Sequence, residues 1–118
     1  MPQKPVIVKV GAHHYDVTYH DLIYDRDEQQ EYMGRCSYPD LEMSLKEGRA
    51  PSQLAETFLH ESVHAINADR RLDMSEQQVD QIAAGMLCLI VDNAAIFGDH
   101  FMEQWGDKDA GRDAREKE

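Results

Sequence analysis

At Pro51 the apolar residues of this chain change their spacing, and that change decides what each half can fold into. Before it they recur every second residue, the period of a strand with one covered face. Val6, Val8 and Val10 alternate with Ile7 and Lys9; after Gly11 and Ala12, Tyr15, Val17 and Tyr19 alternate with Asp16 and Thr18. A glycine-containing break between two such runs predicts a hairpin. Gly34 to Tyr38 and Leu41 to Lys46 predict a second hairpin around Pro39 and Asp40, with Leu41, Met43 and Leu45 on one face. Asp25 to Glu31 is nearly all polar and reads as a loop or short solvated helix.

From Pro51 the spacing is helical. Pro51 suits a first turn and Ser52 offers a cap beside it. Leu54, Phe58, Leu59, Val63 and Ile66 then supply an apolar side, and the helix is expected to end near Ala68 or Asp69. After the short connection Arg70 to Met74, Ser75 and Gln78 form a capping box opening a second helix, expected to reach about Phe97. Val79, Ile82, Ala83, Met86, Leu87, Ile90 and Val91 are its apolar positions. Helices joined so briefly are expected to pack as antiparallel neighbours. The expected fold is α+β: a small antiparallel sheet of three to four strands packed on two main helices.

Within the first helix lies Leu59-His60-Glu61-Ser62-Val63-His64-Ala65-Ile66, an HExxH motif. Residues four apart share one helix face, so both imidazoles can reach one ion. Glu61 stands beside the first histidine, where it can take a proton from water without being a ligand. Zinc accepts imidazole nitrogen readily and, in a catalytic site, keeps one position open. The flanking Phe58, Leu59, Ser62, Val63, Ala65 and Ile66 are uncharged, as a covered active-site helix requires. The competing reading is two surface histidines one turn apart on an ordinary amphipathic helix.

A third ligand is expected from the second helix. Glu76 lies in its first turn and Asp80 one turn on, so Glu76 would bind metal while Asp80 orients one imidazole through its outer nitrogen. Glu76 also suits simple compensation of the helix dipole. Asp80 as ligand, with Glu76 merely capping, is the local alternative.

HExxH followed by a Glu from the next helix and an Asp one turn beyond resembles the gluzincin metallopeptidases. The short spacing resembles their smallest members, the minigluzincins, and more broadly the SprT-like and ImmA/IrrE-type proteins. Gly34 to Tyr38, Leu41 to Leu45 and Glu56 to Glu61 also resemble small phage- and prophage-encoded HExxH proteins. The resemblance runs from Val6 to about Asn93. It implies zinc held by His60, His64 and Glu76, Glu61 as general base, Asp80 behind a histidine, and hydrolysis of a peptide bond in a peptide or protein substrate. It further implies that Leu41 to Lys46 is an edge strand bordering the cleft, with Leu41, Met43 and Leu45 as substrate-binding positions. The oxyanion-stabilising Tyr or His of larger gluzincins has no clear match; Tyr38 and His100 are the candidates.

Composition bounds the rest. A chain of 118 residues is one domain's worth, expected over residues 1–105, and the highly charged 106–118 reads as a disordered tail. A formal net charge of -11 argues against nucleic acid as a partner, since phosphate binding needs clustered Lys and Arg. There is no helix-turn-helix and no basic patch. Met1 to Pro5 lacks the apolar stretch of a secretory signal, and the run Met86 to Val91 is far too short to span a membrane, so the cytoplasm is expected, that of a bacterial host if the chain is phage-encoded. Cys36 and Cys88 are too few for a disulfide scaffold, and Cys88, in an apolar run, is expected to be buried. Met74, Met86 and Met102 read as core filler, and Phe101 and Trp105 as a cover on the end of the core. His13 and His14 are neighbours on a strand, point to opposite faces, and are not expected to share an ion. Two non-catalytic alternatives stand beside the peptidase: a phage protein binding a host factor, with a structural or vestigial zinc site, and an acidic DNA mimic. The mixed-sign tail counts against the mimic, and the HExxH glutamate favours catalysis, because a closed structural zinc site has no use for it.

Overall fold

A computed structural model describes residues 4–105; the predicted charged tail, 106–118, lies outside them. Six strands, two helices and a final 3-10 turn follow one another: β1 (Ile7–Val10), β2 (His13–His20), β3 (Tyr24–Asp25), β4 (Gln30–Glu31), β5 (Gly34–Ser37), β6 (Glu42–Lys46), α1 (Pro51–Arg70), α2 (Glu76–Asp92) and Met102–Trp105. The fold is α+β, a small sheet with two helices, as the change of period requires.

The strand order is β1-β2-β6-β5. β1 and β2 form the expected hairpin, turning at Gly11 with φ +60°, and β5 and β6 form the second. The two hairpins meet along a parallel pairing, Asp16 with Glu42 through His20 with Lys46, so the sheet is mixed rather than wholly antiparallel. A parallel neighbour needs a crossover. Residues 21–41 supply it and contain the small β3–β4 ladder, where the polar run from Asp25 had read as a loop or helix. Asp25 stabilises that turn locally, its Oδ1 accepting the backbone N–H groups of Asp27 and Glu28 at 2.8 and 3.0 Å.

This order corrects one expectation about the site. β6 lies between β2 and β5, with both edges hydrogen-bonded, and β5 is the edge strand on that side. Met43 and Leu45 are 0% and 1% exposed and pack with Val17 in the core, and Leu41 packs beside Val10, Tyr15 and Ala65. The apolar alternation of Leu41 to Leu45 marks a strand buried on its inner face, not a substrate-binding edge.

Helix α1 has two buried sides. Ala65 and Phe58 face the sheet through the Val10–Tyr15 and Val17–Met43–Leu45 clusters; Val63 and Leu59 join Val79 and Ala83 of α2. The N-cap is Ala50, not Ser52: its backbone N–H donates to Gln53 Oε1 at 3.1 Å. At the other end Arg71, at φ +53°, reverses the chain, and Asn67 holds the connection. Its backbone oxygen accepts the Leu72 N–H at 3.1 Å and its side-chain oxygen the Met74 N–H at 3.0 Å. The Ser75–Gln78 capping box forms as expected, with reciprocal bonds of 2.8 and 3.1 Å.

The chain divides after Leu87 into two compact units. Helix α2 ends at Asp92, five residues short of the expected end, in a series of turns. Only Val79 and Ala83 of its apolar positions are buried; Ile82 and Val91 are exposed, and so is Cys88, contrary to expectation. Met86 packs beside that pair, and Met86, Leu87 and Ile90 are half-buried. In the second unit Phe97 stacks on Phe101, which meets Trp105 edge-on; Trp105 is 66% exposed, and Met102, at 71%, is not core filler. Among the described residues no helix is long and apolar enough to cross a membrane.

Candidate metal centre

One face of α1 carries Thr57, His60, Glu61 and His64, residues three and four apart that a helix must stack together. The two imidazoles lie with ring centroids 4.9 Å apart. Glu76, brought alongside by the Asn67-pinned connection, spans them: Oε1 is 2.7 Å from His60 Nε2 and Oε2 is 3.0 Å from His64 Nε2. One donor atom from each of the three lies within 4.8 Å of the others. Asp80, one turn along α2, has Oδ1 3.4 Å from Nδ1 of His60, the nitrogen turned away from Glu76. Glu76 therefore faces the Nε2 atoms of both histidines, and Asp80 the Nδ1 atom of His60.

Glu61 is set apart by burial. It is 6% exposed, and burial pushes its carboxyl up to about 7; Glu76 adds to the rise, while His60 and Arg35 oppose it. His64 is half-buried, and loss of solvation holds its pKa below the usual imidazole range, favouring the neutral ring that can ligate a cation.

Three features had no signal in the sequence. Gly34 of β5 presses its backbone onto α1: a Cβ there would lie 2.6 Å from Thr57 Cγ2 and 3.0 Å from Glu61 Oε2. Cys36, two residues along, lines the same cleft, but burial, assisted by the charge of Glu61, pushes its thiol up to about 12 and leaves it neutral. Arg49, just before α1, donates to Thr57 Oγ1 at 2.8 Å. Together with Tyr32, His60, Glu61, His64, Glu76 and Asp80 they bound an open cleft of about 710 Å³.

Other candidates lie elsewhere. Tyr38 pairs with His13, ring centroids 5.6 Å apart, and is not among the residues lining the cleft; the tyrosine that lines it is Tyr32, whose hydroxyl donates to Glu28 at 2.7 Å. His100 Nδ1 lies 2.9 Å from Glu103 Oε2 within the second unit. His13 is half-buried and His14 exposed, as alternation on β2 requires.

The donor set suits a borderline divalent ion: two imidazole nitrogens and a carboxylate, with no thiolate, leave a tetrahedral ion one position short. Comparison with protein-family models, curated proteins and solved structures gave no match.

Proposed function

We propose that this chain is a zinc-dependent metallopeptidase of gluzincin-like type, with His60, His64 and Glu76 as ligands and Glu61 as general base. The observation that carries the reading is the joint placement of Glu76 across both Nε2 atoms and of a buried carboxyl, Glu61, lining the same cleft. A divalent ion held there supplies Lewis acidity, polarising a carbonyl and making a water more acidic.

The chain's own residues supply the rest. Asp80 orients His60 through Nδ1, and neutral His64 keeps a lone pair available. Glu61, buried and lining the same cleft, would accept a proton from water and return it to a departing amine. Gly34 leaves no side chain between β5 and Glu61, so the carboxylate keeps its place against the helix.

The test is metal content per chain of wild type and His64→Ala, followed by peptide-library cleavage with wild type and Glu61→Gln. One zinc per wild-type chain, lost in His64→Ala, with cleavage abolished by Glu61→Gln and metal retained, is the expected result. A folded wild-type chain that takes up no zinc would refute the proposal and favour a host-factor-binding protein.

A further inference from the structure

The cleft continues beyond the histidines to Arg49, and the mechanism above gives that end no task. Arg49 precedes the N-cap of α1 and reaches Thr57, to whose hydroxyl it donates one hydrogen bond of 2.8 Å. A guanidinium has five N–H donors in a planar fork, so most of its capacity remains. Among the described residues no carboxylate lies within 4 Å of it, although the chain has 23 acidic residues against 12 basic ones. Arg35, which lines the cleft too, is differently placed: Asp25 holds it at 3.5 Å and the Tyr32 ring lies 5.2 Å from its guanidinium carbon. The first turn of α1 carries no acidic side chain, so the positive end of that helix is not neutralised locally. Glu56, one turn in, lines the cleft without approaching Arg49 within ion-pair distance. An unpaired arginine beside an uncompensated helix start, in a strongly acidic protein, is a place for a carboxylate brought from outside.

The geometry points to a carboxylate-binding subsite at Arg49, which selects substrates carrying an acidic side chain or a terminal carboxylate close to the bond to be cut. Thr57 lies four residues before Glu61, about 6 Å along the helix axis. An extended chain covers that distance in about two residues. The acidic group is therefore expected about two positions from the scissile bond. This assignment rests on the peptidase reading for its meaning, but the recognition of a carboxylate by Arg49 does not require a metal.

Binding is accordingly measured on full-length His64→Ala, where a bound ion cannot capture the carboxylate, by following the Arg49 side-chain and cleft amide resonances in NMR titrations. The probes are three blocked tripeptides: N-acetyl-Ala-Glu-Ala-amide, its Gln counterpart, and N-acetyl-Ala-Ala-Ala with a free carboxylate. At least one acidic peptide is expected to bind fivefold or more tightly than the Gln peptide. Preference for the Glu peptide assigns an internal acidic residue, and preference for the free carboxylate a chain end. Arg49→Gln is expected to remove the preference. Lys9→Gln, which changes net charge equally outside the cleft, is expected to keep it, and Arg49→Lys, which retains charge but not the fork, to reduce it at least threefold. Equal affinities for all three peptides, or a preference that survives Arg49→Gln, would overturn the assignment. Absence of zinc in wild type would instead refute the peptidase reading and leave this result standing.

Discussion

Gly34→Ala tests a close approach beside the candidate site, the contact of β5 with the helix that carries Glu61. Its backbone is not in the left-handed region, so a methyl group introduces no φ strain, and the effect comes from space alone. The new Cβ would meet Thr57 Cγ2 at 2.6 Å and Glu61 Oε2 and Cγ at 3.0 and 3.1 Å. Carbon atoms settle at about 3.5–4.0 Å, so strand and helix must part by about 1 Å. Thr57 cannot swing aside easily: it is β-branched, buried, and bonded to Arg49. Overpacking of this kind costs about 1–3 kcal/mol, offset by about 0.4–1 kcal/mol from a stiffer unfolded chain. The net expectation is a loss of about 1–2 kcal/mol, seen as a Tm lower by about 5–10 °C. Urea denaturation of four proteins closes the cycle: wild type, Gly34→Ala, Thr57→Ser and both together. Serine keeps the hydroxyl for Arg49 and deletes the clashing methyl, so Gly34→Ala should cost at least about 1 kcal/mol less in the serine background. A Gly34→Ala protein as stable as wild type, or a penalty unchanged by Thr57→Ser, would refute the reasoning.

Two further predictions follow from burial. Tyr15 is fully buried, and its hydroxyl has no hydrogen-bond partner among the described residues; Tyr15→Phe is expected to leave stability at pH 7 unchanged or raised by about 1 kcal/mol in urea titrations, and a larger loss would reveal a partner for that hydroxyl. Burial also pushes the Tyr15 phenol up to about 12 from an unfolded value near 10, so the neutral form stabilises the fold fully below pH 10 and that contribution fades as pH rises through 12; the decline should be shallower in Tyr15→Phe. The two cysteines should differ in kinetics: at pH 8 an iodoacetamide-type reagent is expected to modify exposed Cys88 readily and Cys36 slowly, until denaturant releases it, as mass spectrometry of the peptides would show.

The sequence disclosed what depends on near neighbours along the chain. Alternation from Val6 to Tyr19 defines a hairpin because successive strand residues face opposite ways, and His60, Glu61 and His64 share a helix face because of the helical repeat. Glu76 was within reach of both histidines because only five residues separate the helices, and a capping box fixes where the second one starts. Tertiary structure alone decided the rest. Nothing local distinguishes an inner strand from an edge, so the parallel pairing that buries β6 and leaves β5 at the border of the cleft had no sequence signal. The number of neighbours covering a helix is likewise absent from its own pattern, which is why Cys88 and Ile82 are exposed. Gly34 against Glu61 and Arg49 against Thr57 are contacts between elements with no common periodicity. Local spacing determined which groups could meet an ion; the packing of strand on helix determined how dry Glu61 is and what surrounds it.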